Sequence, residues 1–495
     1  MNIQDLEPKV VWNNFYQLTR IPRPSKHEEK VMAYLLDWGL SHGFETIKDD
    51  TGNIIIRVPA TPGLENLKGV ILQGHMDMVP QKNADKVHDF EKDPIETWID
   101  GEWLKAKGTT LGADNGLGVA MALSVLEDAS VKHGPVEVLV TYDEETGMTG
   151  ARALKPGMLK GDILINLDSE TEGELYVGCA GGLDATASGT YERMPWPQEG
   201  YLCYELAVKG FKGGHSGMDI ILCRANANKV ATRVLLPLLK EAGVKLCDLE
   251  GGTLRNAIPR EAFATVYVPE DKLAKAEAIV AKVAAEVRAE YAATDPECEF
   301  VFKPYECKEG EVCDHDEDCK YVEESAAIRF VQAILACPDG VDRMSDAVPG
   351  LVETSNNMAM VKIEKGEFFV KSLLRSSVDS GKDFLATKLA SVFELAGCKV
   401  EFTGGYSGWA PNAASPILHT MKKVYNDLYG VEPKVMAIHA GLECGILGGT
   451  YPDWDMVSFG PTLMSPHSPD ERAYIPSVPK AWEFLKAVLV NIPVK

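Results

Sequence analysis

Residues 70–77 read VILQGHMD, an apolar run that ends in a histidine and an aspartate. Two further runs have the same form: residues 136–145 read VEVLVTYDEE, and residues 162–168 read DILINLD. Short apolar runs of this length are typical of buried strands. Helical periodicity at residues 9–18 and 26–41 precedes them. Because helices alternate with such strands, we predict an α/β domain with a mostly parallel sheet.

Each run ends in side chains that bind metals or protons. His75 and Asp77 end the first, Glu144 and Glu145 the second, and Asp168 the third. In open parallel sheets, ligands bind beyond the carboxyl ends of the strands, and neighbouring strands lie only ~4.8 Å apart. We therefore expect these side chains to meet in one crevice. A charged residue after one buried strand is commonplace, whereas this set after three strands is not.

Two more candidates lie far from these runs. Asp114 is part of GADNG at residues 112–116, just before an apolar helix predicted at residues 116–127. Its glycine neighbours would let the backbone approach a metal closely, although an aspartate here is also an ordinary helix N-cap. His467 lies in the loop SPHSPDE. Spacing alone leaves it a surface histidine.

The middle of the chain has a different rhythm. After a strand at residues 201–208, a series of helix, hairpin (residues 253–268), helix and strand appears, and it restarts near residue 321. Two successive α-ββ-α-β units suggest a duplicated α+β insertion. We predict a zinc-peptidase-like catalytic domain made of residues 1–186 and 405–495. A large lid domain at residues 187–404, comparable to a dimerisation domain, interrupts it.

Composition and charge limit the class of protein. The 495 residues are 45% hydrophobic and 25% charged, with 50 basic and 73 acidic residues and a net charge of -23. Such a surface repels nucleic acids and anionic membranes. The N-terminus lacks the regions of a signal peptide, and no apolar run approaches the ~20 residues that cross a bilayer. We expect a soluble cytoplasmic protein without nucleic-acid or membrane partners.

The eleven cysteines are scattered, and none forms a CxxC pair. In a reducing cytosol they are most simply small buried hydrophobic residues. Cys307, Cys313 and Cys319 recur at equal spacing near His315, but structural zinc sites normally space their ligands more closely. We interpret this segment as a solvated acidic loop, with a metal site as the less favoured alternative.

At these motifs the chain resembles the two-zinc peptidase family that includes aminoacylases and carboxypeptidase G-like enzymes. The resemblance covers both the α/β domain and the lid. It rests on GHMDMVP (74–80), GADNG (112–116), DEETG (143–147), NLD (166–168) and the late His467. Within the family, the likeness is to dipeptidases that act on Xaa-His dipeptides. That narrower likeness rests on NLDSE (166–170), GGHSG (213–217) and HAGLECG (439–445).

The resemblance implies a pair of divalent metal ions. Asp114 would bridge both ions, His75 and Asp168 would bind one of them, and Glu145 and His467 would bind the other. Carboxylate and imidazole donors suit zinc, with cobalt or manganese as substitutes. The three carboxylates contribute about -3 against +4 from the ions, so a bridging hydroxide would bring the charge close to neutral.

The resemblance also implies catalytic roles for Asp77, Glu144 and His215, which lie outside this ligand set. Asp77 would orient the imidazole of His75. Glu144 would be the general base, accepting a proton from the shared water and passing it to the leaving amine. If the chain is extended at residues 144–145, the two glutamates diverge and serve these different roles. The alternative for this segment is a solvated acidic turn.

His215 would stabilise the tetrahedral oxyanion. In relatives with smaller lids this histidine reaches the active site of a partner subunit. The hypothesis for a duplicated lid is that one chain supplies this histidine in cis. A homodimer is left open.

A dipeptidase must recognise a free ammonium and a free carboxylate at fixed separation. Arg375 is the candidate for the carboxylate, because its guanidinium binds carboxylates bidentately, with support from Asn256. By resemblance, Glu443 lies near the α-amino group. A surface salt bridge or a turn residue remains the alternative for each of the three.

The predicted function is metal-dependent hydrolysis of unblocked dipeptides, such as β-alanyl-histidine, with small dipeptides as the partners. The preference for histidine at the second position comes from the resemblance alone. An N-acyl amino acid deacylase with the same metal site is the first alternative. A non-enzymatic binding protein on an α/β frame is a second, remote one, because none of the predicted ligands is missing.

Overall fold

The computed structural model describes residues 2–197, 199–306 and 320–495. Cys307, Cys313 and Cys319 therefore lie outside the described residues. The eight cysteines that are described all have free thiols. None of the helices in these described ranges combines the length and the hydropathy that a membrane span requires.

The helices and strands alternate along much of the chain, and three short 3-10 turns accompany them. The α-helices are α1 (Lys9–Arg20), α2 (Glu29–Ser41), α3 (Ala113–Glu127), α4 (Glu144–Gly147), α5 (Thr149–Ala153), α6 (Ala227–Glu241), α7 (Leu273–Glu290), α8 (Glu324–Ala336), α9 (Asp379–Leu395), α10 (Pro416–Tyr429), α11 (Glu443–Thr450) and α12 (Ser477–Val490). The first eight strands are β1 (Glu45–Lys48), β2 (Ile54–Val58), β3 (Val70–His75), β4 (Thr97–Asp100), β5 (Trp103–Ala106), β6 (Val136–Thr141), β7 (Ile163–Asn166) and β8 (Glu174–Cys179).

The remaining strands follow in chain order. They are β9 (Gly181–Thr190), β10 (Arg193–Met194), β11 (Tyr201–Lys209), β12 (Gly214–His215), β13 (Lys245–Gly251), β14 (Ala257–Ile258), β15 (Ala262–Pro269), β16 (Glu299–Pro304), β17 (Tyr321–Val322), β18 (Gly340–Met344), β19 (Val352–Glu364), β20 (Glu367–Ser376), β21 (Lys399–Tyr406), β22 (Lys434–Ile438), β23 (Asp455–Ser458), β24 (Leu463–Met464) and β25 (Arg472–Tyr474).

The chain divides into two compact units. The first contains residues 1–179, 409–437 and 442–495, and the second contains residues 180–408 and 438–441. The first unit is built on an eight-stranded sheet with the order β1-β2-β6-β3-β7-β23-β8-β22. Its strands β6, β3, β7 and β23 are parallel to one another. This confirms the predicted α/β class and the parallel character of the sheet's centre.

The apolar runs explain why the central strands are buried. Every residue of β3, β6 and β7 is buried, as expected for parallel strands that are covered on both faces. Helix α3 is also buried along nearly its whole length, because it is apolar on all sides. Asp114 and Asn115 have non-helical backbone angles, so the regular part of α3 begins near Gly116, as predicted.

The second unit contains a nine-stranded antiparallel sheet in which two halves are visible. The order is β16-β11-β15-β13-β19-β20-β9-β21, with β18 paired to β19. The two halves correspond strand by strand: β16-β11-β15-β13 in one half matches β21-β9-β20-β19 in the other. The halves meet where β13 pairs antiparallel with β19. The predicted duplication is confirmed. Strand β9, which opens the second half, precedes the whole first half in the chain.

One element of the lid was predicted wrongly. The first hairpin was expected within residues 253–268, but its first strand is β13, which ends at Gly251. The intervening residues include the short strand β14, which pairs with β12 rather than within the hairpin. The apolar pattern predicted the second strand, β15, correctly. The first strand was predicted too late in the chain.

Candidate functional site

The metal-binding side chains predicted at the strand ends are neighbours in the structure. His75 is the last residue of β3, which pairs on one side with β6 and on the other with β7. Glu145 follows the end of β6, and Asp168 follows the end of β7. Three adjacent parallel strands therefore deliver their polar ends to one edge of the sheet, as expected for ligand sites in open sheets.

Asp114 lies between two histidines. Its Oδ1 lies 3.1 Å from Nε2 of His75, and its Oδ2 lies 3.2 Å from Nε2 of His467. Asp114 stands at the start of α3 and is followed by a cis peptide bond. Each carboxylate oxygen thus faces a different imidazole nitrogen, which is the arrangement of a bridging ligand.

Each histidine also has a second carboxylate neighbour. Nε2 of His75 lies 3.5 Å from Oδ1 of Asp168, and Nε2 of His467 lies 3.0 Å from Oε2 of Glu145. Two ligands bound tetrahedrally at ~2.0–2.1 Å lie about 3.3–3.4 Å apart. The five side chains therefore form two groups of donors, with Asp114 common to both.

Unpartnered oxygens support this fit to divalent cations. Glu145 Oε1 and Asp168 Oδ1 are buried without a hydrogen-bond partner. Native structures rarely leave buried polar atoms unpaired, and an unpaired buried carboxylate is costly. The oxygen and nitrogen donors suit zinc and related divalent ions.

The electrostatics of the group are dominated by buried negative charge. Burial and the nearby Asp114 and Glu145 raise the pKa of Asp168 to about 6, against the opposing effect of His75. Hydrogen bonds that the His467 ring donates to the carboxylates of Asp114 and Glu145 raise the pKa of His467 to about 11. The carboxylates thus stabilise positive charge strongly at this position.

Asp77 contacts His75 and the backbone of Glu144 and Glu145. Its Oδ1 lies 3.2 Å from Nδ1 of His75 and accepts a hydrogen bond from the backbone N–H of Glu144 at 3.0 Å. Its Oδ2 accepts hydrogen bonds from the N–H of Glu145 at 3.2 Å and from Oγ of Ser25 at 2.8 Å. The expected divergence of Glu144 and Glu145 required an extended chain at residues 144–145. The chain instead forms the helical turn α4 there. The exposed N–H groups of that turn need an acceptor, and Asp77 supplies it.

Glu144 and Glu443 are two further carboxyl groups in the same unit. Burial, Glu443 and Asp168 raise the pKa of Glu144 well above its ordinary value, while His75 opposes the shift. Glu443 is 1% exposed, and its Oε2 accepts hydrogen bonds from Gln73 and Thr141 at 2.6 and 2.7 Å. Its Oε1 is buried without a partner.

The second unit brings together the other predicted residues. The backbone N–H of Ser216 donates to the carbonyl of Asn256 at 2.8 Å, and Oγ of Ser216 lies 3.4 Å from Nε of Arg375. His215, Asn256 and Arg375 therefore lie around one loop. Arg375 is 6% exposed, and among the described residues no carboxylate forms an ion pair with it. A buried guanidinium in this state is a site for an anion.

Local hydrogen bonds define the tautomer of His215. The N–H groups of Gly217 and Met218 both donate to its Nδ1, at 3.2 and 3.0 Å. Burial and Arg375 lower the pKa of His215, so the ring is neutral near pH 7 and carries its proton on Nε2. Gly217 is required nearby, because a Cβ there would lie 2.1 Å from the carbonyl oxygen of His439.

Sequence reasoning missed three buried residues around these groups. Arg23 and Glu471 contact the backbone that carries the predicted ligands. His439 lies 2.7 Å from Oγ of Ser355, through its Nε2. Glu471 lies in the loop that was selected for His467 and was quoted with it, so proximity in the chain was an available signal. Nothing in the local pattern distinguishes Arg23 from a surface arginine.

Comparisons with known proteins agree with the predicted resemblance. The sequence profile of Peptidase family M20/M25/M40 matches residues 71–491. The cytosol non-specific dipeptidase of Escherichia coli (strain K12) is 45% identical over 493 residues, which are 100% of this chain and 99% of that protein.

Solved structures are similar over the whole length. The aminoacylhistidine dipeptidase of Vibrio alginolyticus has a TM-score of 0.93 and 47% identity, with 100% of this chain and 99% of that chain covered. The aminopeptidase PepT of Bacillus cereus ATCC 10987 has a TM-score of 0.56 and 16% identity, with 98% and 99% of the two chains covered. The latter is a similarity of fold alone.

Proposed function

Since the chain belongs to Peptidase family M20/M25/M40, we propose that it is a metal-dependent dipeptidase that cleaves unblocked dipeptides, including Xaa-His dipeptides. The single observation that carries the proposal is the position of Asp114, with one carboxylate oxygen beside each of two histidines. The names of the E. coli and Vibrio relatives support the substrate class. The name of the E. coli relative also supports a cytosolic location.

The proposed ligands form two sets that share Asp114. His75 and Asp168 complete the first set, and Glu145 and His467 complete the second. Two divalent ions, zinc by preference, would supply Lewis-acid polarisation of the scissile carbonyl and a lowered pKa for attacking water. The unpartnered oxygens of Glu145 and Asp168 support both assignments.

Glu144 is the proposed general base. Burial raises the pKa of its carboxyl group, and a base whose pKa lies nearer to neutrality transfers protons more efficiently. Asp77 accepts a hydrogen bond from the N–H of Glu144 at 3.0 Å and also contacts His75. The proposed base and the proposed ligand are therefore held by the same carboxylate. The proton that Glu144 accepts would pass to the leaving amine.

Arg375 is the proposed partner of the substrate's carboxylate. It is buried and is not paired with a carboxylate among the described residues, and a guanidinium binds a carboxylate bidentately. Asn256 is the proposed support on the same side, since its backbone is bonded to Ser216 beside Arg375. Glu443 is the proposed partner of the substrate's ammonium, through the oxygen that has no hydrogen bond.

His215 is the proposed donor to the oxyanion. Its Nδ1 is occupied by two backbone N–H groups, so Nε2–H is the group that is free to donate. A neutral donor of this kind stabilises charge that develops in the transition state. We further propose that the second unit acts as the lid predicted at residues 187–404. Because this lid already contains two paired halves, we propose that it supplies His215 in cis.

A substrate panel tests the function. Free dipeptides, including β-alanyl-histidine, are compared with acetylated amino acids before and after chelation. We expect cleavage of the free dipeptides that disappears when metal is removed and returns when zinc is added. Activity that survives complete metal removal would refute the mechanism.

A deacylase requires no site for a substrate ammonium group. One variant therefore distinguishes a deacylase from a dipeptidase. Glu443→Gln should reduce hydrolysis of free dipeptides strongly and leave an acetylated amino acid unaffected. Cleavage restricted to acetylated compounds would replace the dipeptidase proposal with the deacylase.

A further inference from the structure

Glu471 is a buried carboxylate in the loop that carries His467. It is 2% exposed. Its Oε2 accepts hydrogen bonds from the N–H groups of Leu111 and Gly112 at 2.7 and 2.9 Å. Its Oε1 accepts hydrogen bonds from the N–H groups of Ala113 and Asp114 at 2.7 and 3.2 Å. One side chain thus satisfies four successive backbone donors.

These four donors are the segment that places Asp114. They lie at the start of α3, where N–H groups have no partner within the helix and where a negative charge is favourable. Charge-assisted hydrogen bonds to a carboxylate are stronger than neutral ones. The position of the Asp114 backbone therefore depends on a residue of the His467 loop.

Arg23 also binds the backbone of this segment, through a carbonyl group. It is 2% exposed, and it donates hydrogen bonds to the carbonyls of Gly112, Met76 and Asp77. Gly112 has a φ of +70°, and a Cβ at this position would lie 2.7 Å from Nη2 of Arg23. The approach of the guanidinium to this backbone thus requires glycine.

We propose that Glu471 is a positioning residue for the metal pair. Its four hydrogen bonds fix the bridging Asp114 relative to His467, which lies in the same loop as Glu471, so that the donors meet at metal-binding distances before any ion binds. Glu471 itself binds neither metal nor substrate. This inference rests on the proposed function, because it assumes that Asp114 and His467 are ligands.

This positioning role differs from that of an ordinary buried ion pair, because Glu471 bonds to backbone N–H groups. His467 Nε2 lies 3.2 Å from Oδ2 of Asp114. These residues come from distant parts of the chain, and among the described side chains Glu471 is the one that accepts hydrogen bonds from the backbone N–H groups of Leu111–Asp114. Loss of its carboxylate would release Asp114 and His467 from each other, and the site would then have to be ordered by the metal itself. That ordering would lower metal affinity.

The test is Glu471→Gln in the full chain, with Asp470→Asn as the matched control. The amide keeps the volume of the carboxyl group but turns an NH2 toward two N–H donors. Asp470 is the exposed neighbouring carboxyl group, so the control removes the same charge without these hydrogen bonds. Zinc affinity is measured by competition with a chromophoric chelator, and the melting temperature is measured for the metal-free and zinc-loaded protein.

We expect Glu471→Gln to bind zinc about 10–100-fold more weakly than the parent, as for other groups that orient metal ligands. The stabilisation that zinc gives should shrink accordingly, because ligand stabilisation follows affinity. Asp470→Asn should match the parent in both measurements. At saturating zinc, KM should change little while kcat falls.

Three outcomes have distinct meanings. If the parent binds no metal, the proposed function fails. If the parent binds two ions and Glu471→Gln binds them equally well, the positioning role is wrong even though the function stands. If Glu471→Gln does not fold, Glu471→Asp takes its place. Its shorter side chain cannot reach all four donors, so an unchanged zinc affinity in that variant also overturns the inference.

Discussion

Oδ1 of Asp77 lies 3.2 Å from Nδ1 of His75, and the same oxygen accepts a hydrogen bond from the N–H of Glu144 at 3.0 Å. One carboxylate therefore contacts both a proposed metal ligand and the backbone of the proposed base. Its loss should affect metal binding and catalysis at the same time.

Asp77→Asn should lower zinc affinity about 10–100-fold. It should also lower kcat when zinc is saturating, because the amide cannot accept every hydrogen bond that the carboxylate accepts. Chelator competition and steady-state kinetics measure the two effects. Asp85→Asn, at an exposed position, is the control. Parent-like zinc affinity in Asp77→Asn would show that this contact does not orient His75.

Glu144→Gln should separate chemistry from metal binding. The variant retains all five proposed ligands, so it should still bind two ions per chain. Its kcat should fall by about 10²–10⁴-fold, which is the range for loss of a general base. Metal content is measured on the same sample as the rate. Loss of the metal would instead indicate that Glu144 is a ligand, and a nearly normal rate would exclude it as the base.

Arg375→Met should impair recognition of the substrate's free carboxylate. Loss of hydrogen bonds to a charged group costs about 1.5–3 kcal/mol, which corresponds to about 10–100-fold in kcat/KM. The comparison is between a dipeptide and its C-terminal amide. The parent should prefer the free acid, and the variant should not. Arg233→Met, which removes a partly exposed arginine of α6 that pairs with Glu290, should behave as the parent. A preference that survives in Arg375→Met would contradict the assignment.

A mixture of Glu144→Ala chains with His215→Ala chains tests whether His215 acts in cis. Each variant alone should be nearly inactive, with a loss of about 10²–10³-fold for His215→Ala. After the two are refolded together, the mixture should remain inactive. A mixture of the parent with Glu144→Ala should keep the activity of its parent chains. Recovered activity in the first mixture would show that one subunit supplies His215 to another.

His439 should make the stability of the protein sensitive to acid. Burial, Arg375 and His215 lower the pKa of His439 to about 3, from an ordinary value of 6.5, so the folded protein holds this ring neutral. Between these values the unfolded chain binds the extra proton, and stability must fall as the pH falls from 6.5 toward 3. The slope from one such group reaches about 1.4 kcal/mol per pH unit.

The measurement is the denaturant midpoint of the metal-free protein between pH 4 and 6.5, compared with that of His439→Asn. The variant should show a shallower decline toward low pH, because it has no ring to protonate on unfolding. Comparison with the parent cancels the contribution of the other titrating groups. Equal slopes in the two proteins would contradict the low pKa.

The central fold was predictable because its signals are local. The runs that became β3, β6 and β7 are mostly apolar, and these strands of four to six residues are buried throughout, so the residues that follow them must lie at one edge of a parallel sheet. Helices α1 and α2 also agree with the helical periodicity at residues 9–18 and 26–41. In these cases a few neighbouring residues determine whether a segment forms a helix or a strand.

Other features depend on long-range pairing and were not visible in the sequence. Strand β9 pairs with β20 and β21, far along the chain, and local pattern contains no information about such partners. Spacing alone did not select His467, and only resemblance did, since its loop meets Asp114 through tertiary structure. The partners of Glu471 are backbone N–H groups, which leave no trace in residue type, so its closeness to His467 in the chain was the one signal that the sequence offered.

The two halves of the second unit meet at a seam, the pairing of β13 with β19. This seam has a consequence for which substitutions the second unit can accept. In an assembly of two identical chains, every substitution is made twice, and both copies must tolerate it. Here the two sides of the seam are encoded separately, so each can specialise. His215 and Asn256 belong to one side, and Arg375 belongs to the other. A covalent tandem can therefore place different proposed substrate-binding groups on its two halves, without a redundant second set of the same groups.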